Sequence, residues 1–135
     1  MRRAGRISLA VAVLAIGGSA WYLLRPRYDH VWQAGAALPP AVNAPGIEIY
    51  EPNFSPDGAL LFFTAGSAGK DAGLRVVAAG PDGAPIGEPR SIPEVETEFD
   101  EIDGMLGSDG VLFFYSDRPG GLGGYDLYAA RRRHD

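Results

Sequence analysis

A chain of 135 residues has room for one small domain, and its 19 glycines and 11 prolines disfavour a helical bundle and suit short strands joined by many turns. The absence of cysteine excludes disulfides, thiolate zinc sites and cysteine nucleophiles. Formal charge is −5, but Arg2, Arg3, Arg6, Arg25 and Arg27 cluster at the N-terminus, leaving seven basic against seventeen acidic residues from Tyr28 onward. Such a surface repels phosphate backbones and anionic headgroups, so nucleic acid is not an expected partner.

Ile7 to Leu24 is a run of eighteen residues without a charge, bracketed by arginines. As a helix it would span roughly 27 Å, just short of the ~30 Å hydrocarbon core, a gap that snorkelling arginines and interfacial Trp21 and Tyr22 make up. Residues 1–27 are therefore expected to be a membrane anchor or signal segment. Gly18 and Ala20 offer a cleavage site after Ala20, yet the apolar run continues to Leu24, which favours a retained anchor. Three N-terminal arginines favour an N-in orientation. The expected location is the inner membrane, single-pass, with the C-terminal part in the periplasm; the alternative is secretion to the periplasm after cleavage. No cysteine follows the run, so lipoprotein processing is excluded.

The remainder, residues 28–135, repeats itself. Phe54-Ser55-Pro56-Asp57-Gly58-Ala59-Leu60-Leu61-Phe62-Phe63-Thr64 matches Leu106-Gly107-Ser108-Asp109-Gly110-Val111-Leu112-Phe113-Phe114-Tyr115-Ser116 at an offset of 52, and Gly73 to Ala79 matches Gly124 to Ala130 at 51. Upstream, Leu38-Pro39 and Val42-Asn43 correspond to Ile92-Pro93 and Glu96-Thr97 at 54, and Trp32 to Ile86. Two units follow, about 31–80 and 81–132.

Each unit is expected to be a β meander. Asp57-Gly58 and Asp109-Gly110 are turn dipeptides, with glycine supplying positive φ. Ala59 to Thr64 and Val111 to Ser116 are too short for helices and rich in aromatics, so they read as strands. Glycine-rich loops lead to partner strands at Leu74 to Ala79 and Tyr125 to Ala130. Segments around Trp32 to Leu38 and Ile86 to Ile92 supply an outer strand, and those just before Ser55 and Gly107 an inner one. Four strands per unit is the count of a propeller blade.

These residues resemble the TolB-like, WD-repeat-like β-propeller repeat of bacterial envelope proteins. The resemblance rests on Ser55-Pro56-Asp57-Gly58, on Asp109-Gly110, and on Ser116, Asp117, Arg118, Gly120, Gly121, Gly124, Tyr125, Asp126, Leu127 and Tyr128. The second copy looks like repeats that accompany OmpA-type peptidoglycan-binding domains. The first copy departs from the pattern, with Thr64-Ala65-Gly66 and Arg75-Val76-Val77 in place of the Ser-Asp-Arg and Asp-Leu-Tyr signatures. What the resemblance implies is an all-β fold: a partial propeller of two four-stranded blade-like repeats behind an N-terminal transmembrane helix. Two units cannot close a ring that takes about four to eight blades. Self-association, another envelope protein, or descent from a longer ancestor are the alternatives.

Candidate chemistry is sparse. Glu94, Glu96, Glu98, Asp100, Glu101 and Asp103 form the densest acidic stretch. Alternate spacing nominates Glu98, Asp100, Glu101 and Asp103 as ligands for a hard cation, against the plainer account of a solvated inter-blade loop. No Asp-x-Asp-x-Asp-Gly loop is present, and the expectation is no metal and no cofactor. His30 and His134 are the only histidines, both near the ends of the extra-membrane part. No nucleophile elbow or phosphate loop accompanies them. The expected function is a non-enzymatic envelope protein-binding or scaffold module. The alternatives are a domain sensing a cell-wall glycan or peptide, and a truncated remnant of a longer propeller protein.

Overall fold

The computed structural model describes residues 34–131, of which 36–131 belong to one compact unit. The expected membrane segment lies outside the described residues; among those described, no helix is long and apolar enough to cross a membrane.

The described chain is all-β. Four strands, β1 (Ile49–Phe54), β2 (Leu60–Ala65), β3 (Gly73–Ala79) and β4 (Pro85–Ser91), form an antiparallel meander in the order β1-β2-β3-β4. Three more, β5 (Glu101–Leu106), β6 (Val111–Ser116) and β7 (Asp126–Arg131), form a second meander, β5-β6-β7. The turns entering β2 and β6 close as the Asp-Gly dipeptides dictate. Gly58 and Gly110 take φ of 71° and 77°, the left-handed region that glycine enters without a Cβ penalty. Asp57 Oδ1 accepts from the Ser55 hydroxyl at 2.6 Å and the Ala59 N–H at 3.0 Å, and these bonds hold its carboxyl below the ordinary range.

Two expectations about the outer strands, one in each unit, need correction. Its sheet has three strands, because the segment expected as its outer strand, Pro85–Ser91, pairs instead with β3 of the first sheet. The corresponding segment of the first unit is not a strand over the described part of 32–38: residues 34–38 have no regular secondary structure and are exposed throughout. The outer edge of β7 has no partner strand among the described residues.

The repeat survives in space with its register altered by one residue. The β1–β2 ladder pairs Ile49 with Ala65 where β5–β6 pairs Glu101 with Ser116. Ser55 N–H bonds to Leu60 C=O, whereas Gly107 N–H bonds to Val111 C=O, so the second turn is one residue shorter. Leu60–Ala65 is therefore equivalent to Val111–Ser116, and the visual match of Phe62 to Phe114 gives way to Phe62 with Phe113 and Phe63 with Phe114. Upstream, Val42 N–H bonds to Pro39 C=O as Val95 N–H bonds to Ile92 C=O, so Val42 corresponds to Val95. A one-residue slip exchanges the two faces of a strand. With the corrected register, the face of sheet 1 that meets sheet 2 is equivalent to the face of sheet 2 that points away.

Packing follows from these faces. Phe62, Leu74 and Val76 of sheet 1, Leu112 and Phe114 of sheet 2, and Val95 from the intervening turn form the core between the sheets. Leu61, Phe63 and Val77, on the opposite face of sheet 1, are covered by Val42. Val42 thus caps sheet 1 as Val95 caps sheet 2. Both inner strands carry a bulge with a non-glycine residue at positive φ, Glu51 (55°) in β1 and Asp103 (53°) in β5. Thr64, fully buried, holds both: its hydroxyl donates to Glu51 Oε2 at 3.1 Å and accepts from the Asp103 N–H at 3.0 Å.

Candidate interaction site

The acidic stretch is dispersed by the fold. Asp100 is buried and accepts from the N–H groups of Gly69 and Ala72 and from the Tyr125 hydroxyl, while its own N–H donates to Asp117 at 3.0 Å. It clips the β2–β3 loop of one sheet to the β6–β7 loop of the other. The Tyr125 proton is the donor in this clip, and its bond to Asp100, followed by burial, pushes the phenol up to about 12. Asp103 accepts from Asn53 Nδ2 at 3.1 Å. Glu98 is exposed, and Glu96 lies 3.6 Å from Arg75. Among the described residues, no three of His, Asp or Glu come together as a metal site.

Glu101 is the most deeply enclosed carboxylate, 1% exposed. It accepts from the N–H and hydroxyl of Thr97 at 3.0 and 2.6 Å, from the Ser116 hydroxyl at 3.1 Å and from Arg118 Nη2 at 2.9 Å. The same Arg118 nitrogen donates to the Val95 carbonyl at 2.8 Å, and the guanidinium lies 5.3 and 4.9 Å from the Phe114 and Tyr128 ring centroids. Those rings stack at 5.9 Å. Ser116, Asp117 and Arg118 are consequently structural: they tie β5, β6 and the Val95 turn together. Asp126 has a similar duty, accepting from Leu122 N–H at 2.8 Å to fold the glycine-rich loop. A Cβ at Gly121 would overlap its carboxylate. In the first copy the equivalents of Glu101 and Ser116 are Ile49 and Ala65, so the polar set is replaced by apolar residues as a set.

What remains available for contact is the outward face of sheet 2 and the β7 edge. Phe62, Thr64, Leu74 and Val76 on sheet 1 are each below 5% exposed, whereas Tyr115 and Leu127, the equivalents of Thr64 and Leu74, are 39% and 60% exposed. Met105 beside them is 53% exposed. The sequence named Leu127 only as part of a strand signature and missed Met105 and Tyr115. Val111 to Ser116 is apolar on both faces, so alternation gives no sign of which side is open. A concavity of about 320 Å³ lies on the far face of sheet 1, lined by Val42, Ile47, Ile49, Phe63, Arg75 and Glu88 among others.

No protein-family model, curated protein or solved structure matches this chain.

Proposed function

We propose that the chain is a non-enzymatic binding or scaffold module of the cell envelope, built from TolB-like propeller repeats and engaging its partner through the outward face of sheet 2. The observation that carries this is the contrast between equivalent faces: one copy's face is sealed by the next sheet, and the other's is left open with Met105, Tyr115 and Leu127 on it. Exposed apolar clusters of this kind mark interaction surfaces. The buried polar residues support the same view, because Asp100 is engaged in joining the sheets and Glu101, Ser116 and Arg118 in tying sheet 2 to the Val95 turn. The apolar run of residues 7–24 would hold the module at the periplasmic side of the inner membrane, or deliver it there if cleaved.

A second proposal, a domain sensing a cell-wall glycan or peptide, is favoured by the concavity on sheet 1, whose ~320 Å³ sits at the low end of ligand pockets. Saturable binding of cell-wall fragments, lost on Arg75→Ala, would support it over the first.

Met105 provides a direct test, since the only other methionine is Met1. Peroxide oxidation of Met105, mapped by peptide mass in envelopes of the native cells, should run several-fold slower than in the urea-unfolded chain. Leu127→Asp should restore the fast rate. Oxidation of wild-type Met105 in envelopes at the unfolded rate would sink the proposal.

A further inference from the structure

We infer that the partner of the open face is a second copy of this chain, which stacks its first sheet on the outward face of sheet 2 and lays residues 34–38 along the β7 edge. The inference rests on the binding role proposed above and names the occupant of that site.

Two observations converge on it. The first is the facing of the repeats. The interface inside the chain joins the forward face of sheet 1 to the rear face of sheet 2. The surfaces left over are the forward face of sheet 2 and the rear face of sheet 1, which are equivalents of the same pair. A second copy therefore presents a counterpart of the surface that the forward face already binds within the chain. Val42 of the incoming copy stands where Val95 stands in the internal interface. Glu48 stands where Asp100 receives loop N–H groups, close to the N–H-rich run Gly120–Gly124. The match is not exact: Pro52 replaces Gly104, which lets Leu74 pack close, and Tyr115 and Ala129 replace Thr64 and Val76, so the contact requires Leu127 and Tyr115 to repack.

The second observation is the edge. β3 is paired along its outer side by β4, but its equivalent, β7, carries no such strand among the described residues. With Pro39 equivalent to Ile92, the counterpart of Pro85–Ser91 is 32–38, and its described part is exposed and unpaired. An unpaired edge and an exposed segment without a sheet partner, which the repeat matches to it, satisfy each other by strand addition. The β3–β4 register sets Val76 opposite Arg90, which places Ala129 of one chain opposite Ala37 of the next. A contact that uses one surface on each side is heterologous, and it propagates into a ring or a filament.

The chain lacks cysteine, so a designed disulfide reports this register alone. Full-length chain carrying Ala37→Cys and Ala129→Cys is oxidised in mild detergent and resolved without reductant, with mass in solution taken by light scattering. Facing strand residues stand about 4.5–5.5 Å apart at Cα, within disulfide reach. Linked dimers and higher multiples are expected from the double variant, and linked dimers alone from a mixture of the two single variants. Leu127→Asp should return the mass to that of one chain. A monomeric mass with no linkage, or a bond closing only within one chain, overturns the inference. If Met105 is then still protected in envelopes, the binding role stands with a different occupant; if Met105 is also unprotected there, both fall.

Discussion

Removal of the Arg118 side chain would leave Glu101 as a buried carboxylate without its cation. Glu101 has a side-chain exposure of 2%, against 23% for Arg118, so the pair is enclosed on the carboxylate side and partly open on the other. Breaking a buried pair from one side costs about 3–5 kcal/mol, and the open side of Arg118 places this case near the lower figure. Loss of the contacts over Phe114 and Tyr128 adds roughly 1 kcal/mol. Arg118→Ala is therefore expected to destabilise by about 3–4 kcal/mol, over a hundredfold in the folding equilibrium, out of a total that for such domains is about 5–15 kcal/mol. The first copy supplies the control. Its Ile49 and Ala65 at the Glu101 and Ser116 positions show that this strand pair forms without the carboxylate and hydroxyl. The triple variant Glu101→Ile, Ser116→Ala, Arg118→Ser should therefore lose less stability than Arg118→Ala alone. Urea unfolding of the full chain followed by far-ultraviolet circular dichroism reads both. Arg118→Ala within about 1 kcal/mol of wild type, or a triple variant weaker than the single one, would refute the assignment of the pair as a desolvated structural contact.

Two further outcomes follow from the contacts between the sheets. A Cβ at Gly104 would lie 2.5 Å from Leu74 Cδ1, and Leu74 is buried in the core between the sheets, so Gly104→Ala should cost about 1–3 kcal/mol. Adding Leu74→Ala should cost less than the sum of the two single changes, which a double-mutant cycle measures. At alkaline pH, the raised Tyr125 phenol favours the folded state while protonated: the contribution is complete below pH 10 and is lost as pH rises through about 12. Absorbance titration should show a late-ionising phenol that disappears in Tyr125→Phe. Loss in Tyr125→Phe of a phenol that ionises in the ordinary range near pH 10 would mean the Asp100 bond does not form.

The sequence carried the elements well and the pairing less well, and the difference has a physical source. Asp57-Gly58 and Asp109-Gly110 encode turns locally, through glycine's access to positive φ, so the strands entering from them were legible. Strand ownership is not local. Pro85–Ser91 has the same residues whether it opens the second sheet or closes the first, and only the edge it meets decides. The acidic stretch was misleading in a related way: alternate spacing aims carboxylates to one side only in a regular strand, and the bulge at Asp103 together with the turn at Val95 breaks that regularity. Asp100 and Glu101 are neighbours in the chain, yet one clips two loops and the other is sealed under Arg118.

The one-residue slip between the copies bears most directly on function. Aligned by eye at the Asp-Gly turns, Phe62 and Phe114 are equivalent; since both lie in the core between the sheets, the sheets would then pack like face to like face. An interface of that kind uses up the repeated surface and leaves no reason for a further partner. The shorter turn at Gly107–Val111 shifts β6 by one residue and turns its equivalent face outward. Like-facing sheets stack head to tail, and such a stack always ends in a surface complementary to its own beginning. Lengthening the second turn to match the first, by one residue after Gly110, would turn Phe113 and Tyr115 inward, and Phe114 outward with its Arg118 contact broken. That insertion should cost both the fold of sheet 2 and any association through it.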